Sequence, residues 1–412
     1  MILIIQSSFL SSQTSHFLDS LLHQDLPQYS ALLDQPAKYK LQIIFTTIDR
    51  DKENKPHFNE FKYRISKKYF YPASTVKLPI SILGLQKIEE LKEKGIDRKT
   101  AMLADSVFFC QEKIKADSTS SGSFPTLENY IKRMMLVSDN AAFTRMYEFV
   151  GYDYAHKKLK EQGFGSVRLF NRLSPFCKGD TALITPPVNF LNSKGDTLYK
   201  QVAAQASFTL NHPIKSSMAG RAHINANGKR VYSPKDFSRH NYFHLTDLNR
   251  MMQQLIFMEA KPEKGRIKLT EESRTFLVRQ MGLYPKESDY PVYDKKVFYD
   301  SYKKYFMYAS AVATITQDSI RVINIVGRAY GFLIDCAYII DMKSNTEFLL
   351  TAALYVNEGN IIGNGKYEYD QLGLPFMRDL SLVLYKYERN RKKENVPDLS
   401  EYKKMFNYKS NQ

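Results

Sequence analysis

Two short constellations in this chain carry residue types able to do chemistry together: Ser74-Thr75-Val76-Lys77 and, further along, Ser138-Asp139-Asn140. A serine hydroxyl is a poor nucleophile until a neighbour removes its proton. A lysine three residues on, one helical turn away, lies on the same face and within reach. The lysine must be neutral to act as that base. Burial and a nearby positive helix end both lower a lysine pKa, and Tyr71-Pro72-Ala73 reads as a chain turning into a helix at the serine. That helix end also offers backbone N–H groups to an oxyanion, so the expected chemistry is acyl transfer through serine.

Ser-x-x-Lys alone is a weak signal in a chain rich in both residues. Ser301-Tyr302-Lys303-Lys304 repeats it and is expected on a solvated helix or loop face. Ser-Asp-Asn is rarer, and here it follows Leu127, Ile131, Met134 and Met135, apolar at helical spacing. On its own the tripeptide reads as a helix-end cap, which favours the same residue types. Paired in order with Ser74 and Lys77, it reads as part of a site.

In these motifs the chain resembles the penicillin-recognising serine hydrolases, and within them the class A β-lactamase branch, which carries Ser-x-x-Lys, Ser-Asp-Asn and Lys-Thr/Ser-Gly. The likeness extends over the apolar helix after Ser74, over Pro125 to Gly151, and over Asn324 to Val356, where Gly327-Arg328-Ala329-Tyr330-Gly331-Phe332 looks like the third motif's end. It implies an α+β fold of β-lactamase/DD-peptidase type, an antiparallel sheet with flanking terminal helices plus an all-helical lobe. It implies Ser74 as the acylated nucleophile, Lys77 as its base and Ser138 as a proton shuttle toward the leaving nitrogen. Asn140 would hold a substrate amide, Gly327 and Arg328 would line the substrate, and the N–H groups of Ser74 and Arg328 would form the oxyanion hole. No cofactor or metal is implied; the partner is a β-lactam or a cell-wall peptide-like small substrate.

The chain departs from the family pattern twice. Where the third motif should begin with Lys it reads Ile325-Val326-Gly327, so a substrate-binding cation is missing. Arg328 carries charge but sits at the opposite strand parity to Ile325, and a surface arginine is the plain alternative. The family's deacylating Glu is missing too: none occurs between Glu161 and Glu259, and Arg168 to Pro187 offers Asp180, itself readable as a turn residue. The expectation is therefore an acyl-Ser74 serine hydrolase. Its alternatives are a penicillin-binding or DD-peptidase-like enzyme with slow deacylation, or a catalytically silent binding or sensor module.

Composition excludes several other classes. With 412 residues and 43% apolar content the chain can bury a large core. The formal charge of +16 is spread along the sequence apart from the cluster between Lys386 and Lys393, and no zinc spacing or aromatic-interleaved basic strand marks a nucleic-acid module. Cys110, Cys177 and Cys336 are too scattered for a disulfide framework; Cys336 reads as core, and one bridge between the other two fits an exported protein. The start Met1–Gln6 reads either as a shortened export signal or as an apolar segment with no targeting role. The family's work on the cell envelope makes an exported bacterial protein, without stable membrane insertion, the expectation. Oligomeric state is not legible.

These residues need positioning elements. Apolar spacing predicts an N-terminal helix from Phe17 to Leu33, broken at Pro27, and β-branched residues predict a strand from Leu41 to Ile48 with Phe58 to Ile65 as partner. Leu78, Ile82, Leu85, Ile88 and Leu91 form a helical stripe behind Ser74 that ends at Gly95. Three β-rich runs, Ile320 to Val326, Phe332 to Asp341 and Glu347 to Val356, predict a meander before a C-terminal helix around Phe376 to Leu384. The expected plan is a flexible or export segment over 1–15, a catalytic domain over 16–390 and a polar tail over 391–412. Within the domain, an α/β lobe spans about 16–72 and 310–390 and a helical lobe about 73–309. Residues 187–239 are expected to be an insertion, a surface hairpin in its plain reading, with Lys215, Arg221 and His223 as substrate contacts if it covers the mouth.

Overall fold

The β-branched run after Leu41 forms strand β1 (Gln42–Arg50), and an Asx turn, in which Asp51 Oδ1 accepts the N–H groups of Glu53 and Lys55, returns the chain as β2 (Pro56–Tyr63). These belong to a computed structural model that describes residues 16–408 apart from 67, 175–178, 261–264, 310–314, 316 and 317. The three later β-rich runs form β3 (Ile320–Ala329), β4 (Phe332–Asp341) and β5 (Thr346–Tyr355). All pairings are antiparallel, in the order β3-β4-β5-β1-β2, so β1 closes onto β5 with Gln42 opposite Ala353, and β3 is an edge.

Helices α1 (16–25), α2 (Lys77–Glu90), α3 (Leu127–Val137), α4 (Asn140–Val150), α5 (Tyr152–Glu161), α6 (Leu245–Ile256), α7 (Glu271–Gly282), α8 (Leu374–Asn390) and α9 (Ser400–Met405) follow in chain order. Their starts are written in the sequence. Thr126, Asp139, His244 and Thr270 each accept a backbone N–H as N-cap, which is the capping role open to His244. Pro27 ends the first helix and begins a short turn.

Both sheet faces are covered, which is why β3 to β5 read as near-continuous apolar runs. On one face Val322, Val326, Phe45 and Leu350 pack with Leu18, Leu22, Leu380 and Leu384 of the terminal helices α1 and α8. On the other, Ile323, Ile325, Cys336 and Leu349 share a core with Val76, Leu78, Met134, Leu248 and Leu277. The α+β plan of a sheet between terminal helices and a helical lobe is therefore realised.

Two segments differ from expectation. The expected polar tail over 391–412 contains α9, which buries Leu399, Tyr402 and Phe406. Phe406 lies against Gly282, and the Tyr402 ring stands 5.5 Å from that of Tyr338. Its apolar residues recur at three and four but are diluted among Lys, Glu and Asn, so composition hid the stripe. The 187–239 segment is more than one hairpin: Val188–Leu191 and Thr197–Gln201 pair beside Ala101–Ala104, while Ala222–Ile224 runs parallel to Ile361–Ile362. Arg221 and His223 are tied into it, Arg221 Nε donating to Gly359 O and His223 Nδ1 bonding Ser233 O.

Candidate active site

Ser74 sits on a single 3-10 turn, Ala73–Val76, that feeds α2 at Lys77. Thr75 closes the turn, its N–H and hydroxyl both donating to Pro72 O at 3.1 and 2.8 Å. Ala73 takes φ 47°, a left-handed conformation that a side-chain-bearing residue holds only when its surroundings fix it. The edge strand β3 is part of that surrounding. A Cβ on Gly327 would stand 2.5 Å from Pro72 O and 3.3 Å from Ala73 Cβ, so only glycine lets β3 lie against the turn. From the other side Tyr71 packs on Phe237 of the insertion and on Tyr330 beyond β3, with ring centroids 5.5 and 5.3 Å away.

The second motif arrives at a sharp helix–helix junction. α3 ends in Ser138, left-handed at φ 59° and ψ 38°, and Asp139 at once caps α4, accepting Ala142 N–H at 2.9 Å. Arg133 braces the junction by donating to Asp139 Oδ2 through Nε at 2.9 Å and Nη2 at 2.6 Å, and to Asp117 through Nη1 at 2.9 Å. Burial alone would raise the Asp139 carboxyl, but the Ala142 N–H, Arg133 and Lys77 hold it below the usual carboxylate range.

Lys77 gathers the motifs. Its Nζ, fully buried, lies 2.8 Å from Ser74 Oγ, 3.0 Å from Ser138 Oγ, 2.6 Å from Ser138 O and 2.7 Å from Asn140 Oδ1. An ammonium has three N–H bonds for these four neighbours. A neutral amine donates to Ser138 O and Asn140 Oδ1, which cannot themselves donate, and turns its lone pair to a serine hydroxyl proton. Burial, with the positive charge of Lys303 nearby, pushes the Lys77 amine well below the ordinary lysine range, against an opposing pull from Asp139. The arrangement can therefore deprotonate Ser74.

The structure brings Ser74, Lys77, Ser138 and Asn140 together and sets Gly327 against the turn, but it sends the Arg328 side chain elsewhere. Ile325 and Gly327 face Ser74, so Arg328, at opposite parity, points from the other sheet face, where its guanidinium lies 5.6 Å from the Tyr369 ring centroid. Arg328 thus does not restore the charge absent at Ile325. Its main chain remains on the edge strand beside the turn.

The second Ser-x-x-Lys is not solvated. Ser301, Lys303 and Lys304 are 3, 4 and 2% exposed. Lys303 Nζ donates to Met135 O at 2.7 Å and Met134 O at 3.1 Å, at the carboxyl end of α3, and Lys304 Nζ donates to Met281 O, Val322 O and Asn324 Oδ1. The overlooked signal is the aromatic density around them, Tyr299, Tyr302, Tyr305 and Phe306, which suits a buried strap better than a wet face.

Behind the site, Arg172 ties the loop from Arg168 to Pro187 to α4. It donates to Glu148 Oε1 at 2.9 Å and to the carbonyls of Ala182 and Ile184 at 3.0 and 2.5 Å, while Arg145 holds the other Glu148 oxygen at 2.7 Å. Both Glu148 oxygens are occupied by arginines, which leaves this carboxylate structural. The Asp180 side chain and Cys177 lie outside the described residues. Cys110 is disulfide-bonded, and Cys336 is a buried free thiol.

Residues 28–268 match the family model of the β-lactamase enzyme family. Similar solved structures include the extended-spectrum β-lactamase TLA-3 (12% identity over 92% of this chain and 98% of that one, TM-score 0.48). A β-lactamase from Sphaerobacter thermophilus is also similar (12% identity over 88% and 97%, TM-score 0.44). A further one is a variant of PBP-A as its penicillin G acyl-enzyme (12% identity over 92% and 96%, TM-score 0.45). No curated protein matches the chain in sequence.

Proposed function

Since the chain belongs to the β-lactamase enzyme family, we propose that it is a serine hydrolase that forms an acyl-Ser74 ester on β-lactams or related cell-wall peptides. The observation that carries this reading is the buried Lys77 amine 2.8 Å from Ser74 Oγ. Lys77 takes the hydroxyl proton as Ser74 Oγ attacks the carbonyl carbon. The N–H groups of Ser74 and Arg328 receive the developing oxyanion, and the Ser138 hydroxyl, 3.0 Å from Lys77 Nζ, relays the proton to the departing nitrogen. Asn140, exposed at the start of α4, meets the substrate's amide. Each step moves protons and an acyl group only.

Deacylation is the slow half of the cycle in this proposal. No Glu stands between Glu161 and Glu259, and Glu148 is held by two arginines. That favours a penicillin-binding or DD-peptidase-like enzyme as the second reading. A silent sensor module is disfavoured by the convergence on Lys77. The disulfide at Cys110 supports an exported protein, since such bonds persist in oxidising compartments.

Time-resolved intact-mass spectrometry with penicillins and cephalosporins tests the proposal. A stable adduct on Ser74 is expected, with little hydrolysis of a chromogenic cephalosporin. Rapid turnover would instead mark a β-lactamase with another base, and no adduct with β-lactams or acyl-peptide esters would end the acyl-serine reading.

A further inference from the structure

Lys303 is a buried amine that the proposed reaction leaves without a task. Its main chain is pinned next to the edge strand, Lys303 O accepting Asn324 Nδ2 at 2.8 Å, one residue before Ile325. Its Nζ reaches across to α3 and takes Met134 O and Met135 O, carbonyls of the last helical turn. Lys77 Nζ grips the next part of the same helix end, Ser138 O at 2.6 Å. Two amines from distant parts of the chain thus hold one short stretch of backbone, the stretch that throws Ser138 into its left-handed turn. The third N–H direction of Lys303 has no acceptor among the described residues.

We propose that Lys303 is a positioning residue of the Ser74 site, fixing the Ser138 turn from the carboxyl end of α3 and supplying, from outside the strand register, positive charge that position 325 lacks. A cation is favourable there because the helix carboxyl end is negative. Burial lowers the Lys303 amine and Asp335 of β4, which accepts from Asn324 Nδ2 at 2.9 Å, pulls it back up, while Lys303 in turn lowers Lys304. Lys77 faces Asp139, itself held by Arg133, and Lys303. Burial brings the Lys303 amine down to about 7, so around neutrality it carries a partial positive charge, and that charge disfavours a second one on Lys77. Removing it should let Lys77 protonate more readily.

This role rests on Lys77 as the base of Ser74, so its test reads Lys77 directly and does not need a substrate. Lysine carbons are labelled with carbon-13 in the full chain, the Lys77 signal is assigned by its loss in Lys77→Met, and its titration is followed by NMR. Lys303→Met and Lys303→Gln should raise the Lys77 midpoint by about one pH unit, with the acid limb of Ser74 acylation by penicillin G moving alongside. Lys303→Arg, which stays charged, should leave the midpoint at or below that of the native protein. An unmoved midpoint in either neutral variant, with native far-ultraviolet circular dichroism, overturns the inference. So does a raised midpoint in Lys303→Arg, which remains readable if both neutral variants fail to fold. Failure of penicillin G to acylate the native protein while the midpoints shift as stated would sink the substrate reading and leave Lys303's role standing.

Discussion

At the scale of single residues, the site turns on one amine, Lys77, that burial holds well below the ordinary lysine range. Ser74→Ala should abolish the covalent adduct, checked by intact mass after penicillin exposure, because it removes the hydroxyl 2.8 Å from Lys77 that the proposed reaction acylates. Lys77→Arg should be as damaging, since a guanidinium cannot lose its proton near neutrality and so puts a permanent charge where a base is needed. The pH dependence follows from the direction of the Lys77 shift. With its amine held well below the ordinary lysine value, the neutral form persists to lower pH, so acylation should already be maximal well below the ordinary lysine range and fall as acid protonates Lys77. A rate that keeps climbing to the ordinary lysine range would mean the amine is not the base. Ile325→Lys, which would restore a lysine at the start of the third motif, would bury an ammonium in the apolar cluster and should lower stability.

Between elements, the decisive contact is β3 against the Ser74 turn. Gly327→Ala puts a methyl group within 2.5 Å of Pro72 O, so strand or turn must shift. The expected result is a loss of about 1–3 kcal/mol in urea unfolding together with an acylation rate reduced more than tenfold, because the N–H groups proposed to receive the oxyanion ride on those two elements. Arg172→Met tests the loop brace: it leaves Glu148 buried with one partner, at a cost of about 3–5 kcal/mol. These contacts also mark what the sequence could disclose. Ser74, Lys77, Ser138 and Asn140 were legible because each motif is local, its chemistry set by spacing along one turn. Arg328's orientation was legible in part, from strand parity. Lys303 was not, because its role depends on a strap crossing back to a helix far away in sequence, and a lysine's burial is decided by tertiary packing that periodicity does not report.

For the molecule as a whole, the carboxyl-terminal segment is as much a part of the core as the sheet. Phe406 fills the space over Gly282, where its ring also meets the Arg321 guanidinium at 4.9 Å. Phe406→Ala should cost about 3–5 kcal/mol, read as a lowered melting temperature, with the acylation rate of the remaining folded protein unchanged. A variant that melts like the native protein would show that α9 is merely attached. The strand order carries a different consequence, one for the history of each molecule more than for its finished form. β1 and β2 are made early, yet Gln42 finds Ala353 only after the helical lobe and β3, β4 and β5 have followed. Until then one edge of the hairpin stands open, an invitation to pair with another chain, and closing it demands a long loop. Crowded, slowly folding copies should therefore lose yield to aggregation well before any equilibrium measurement reveals a weakness.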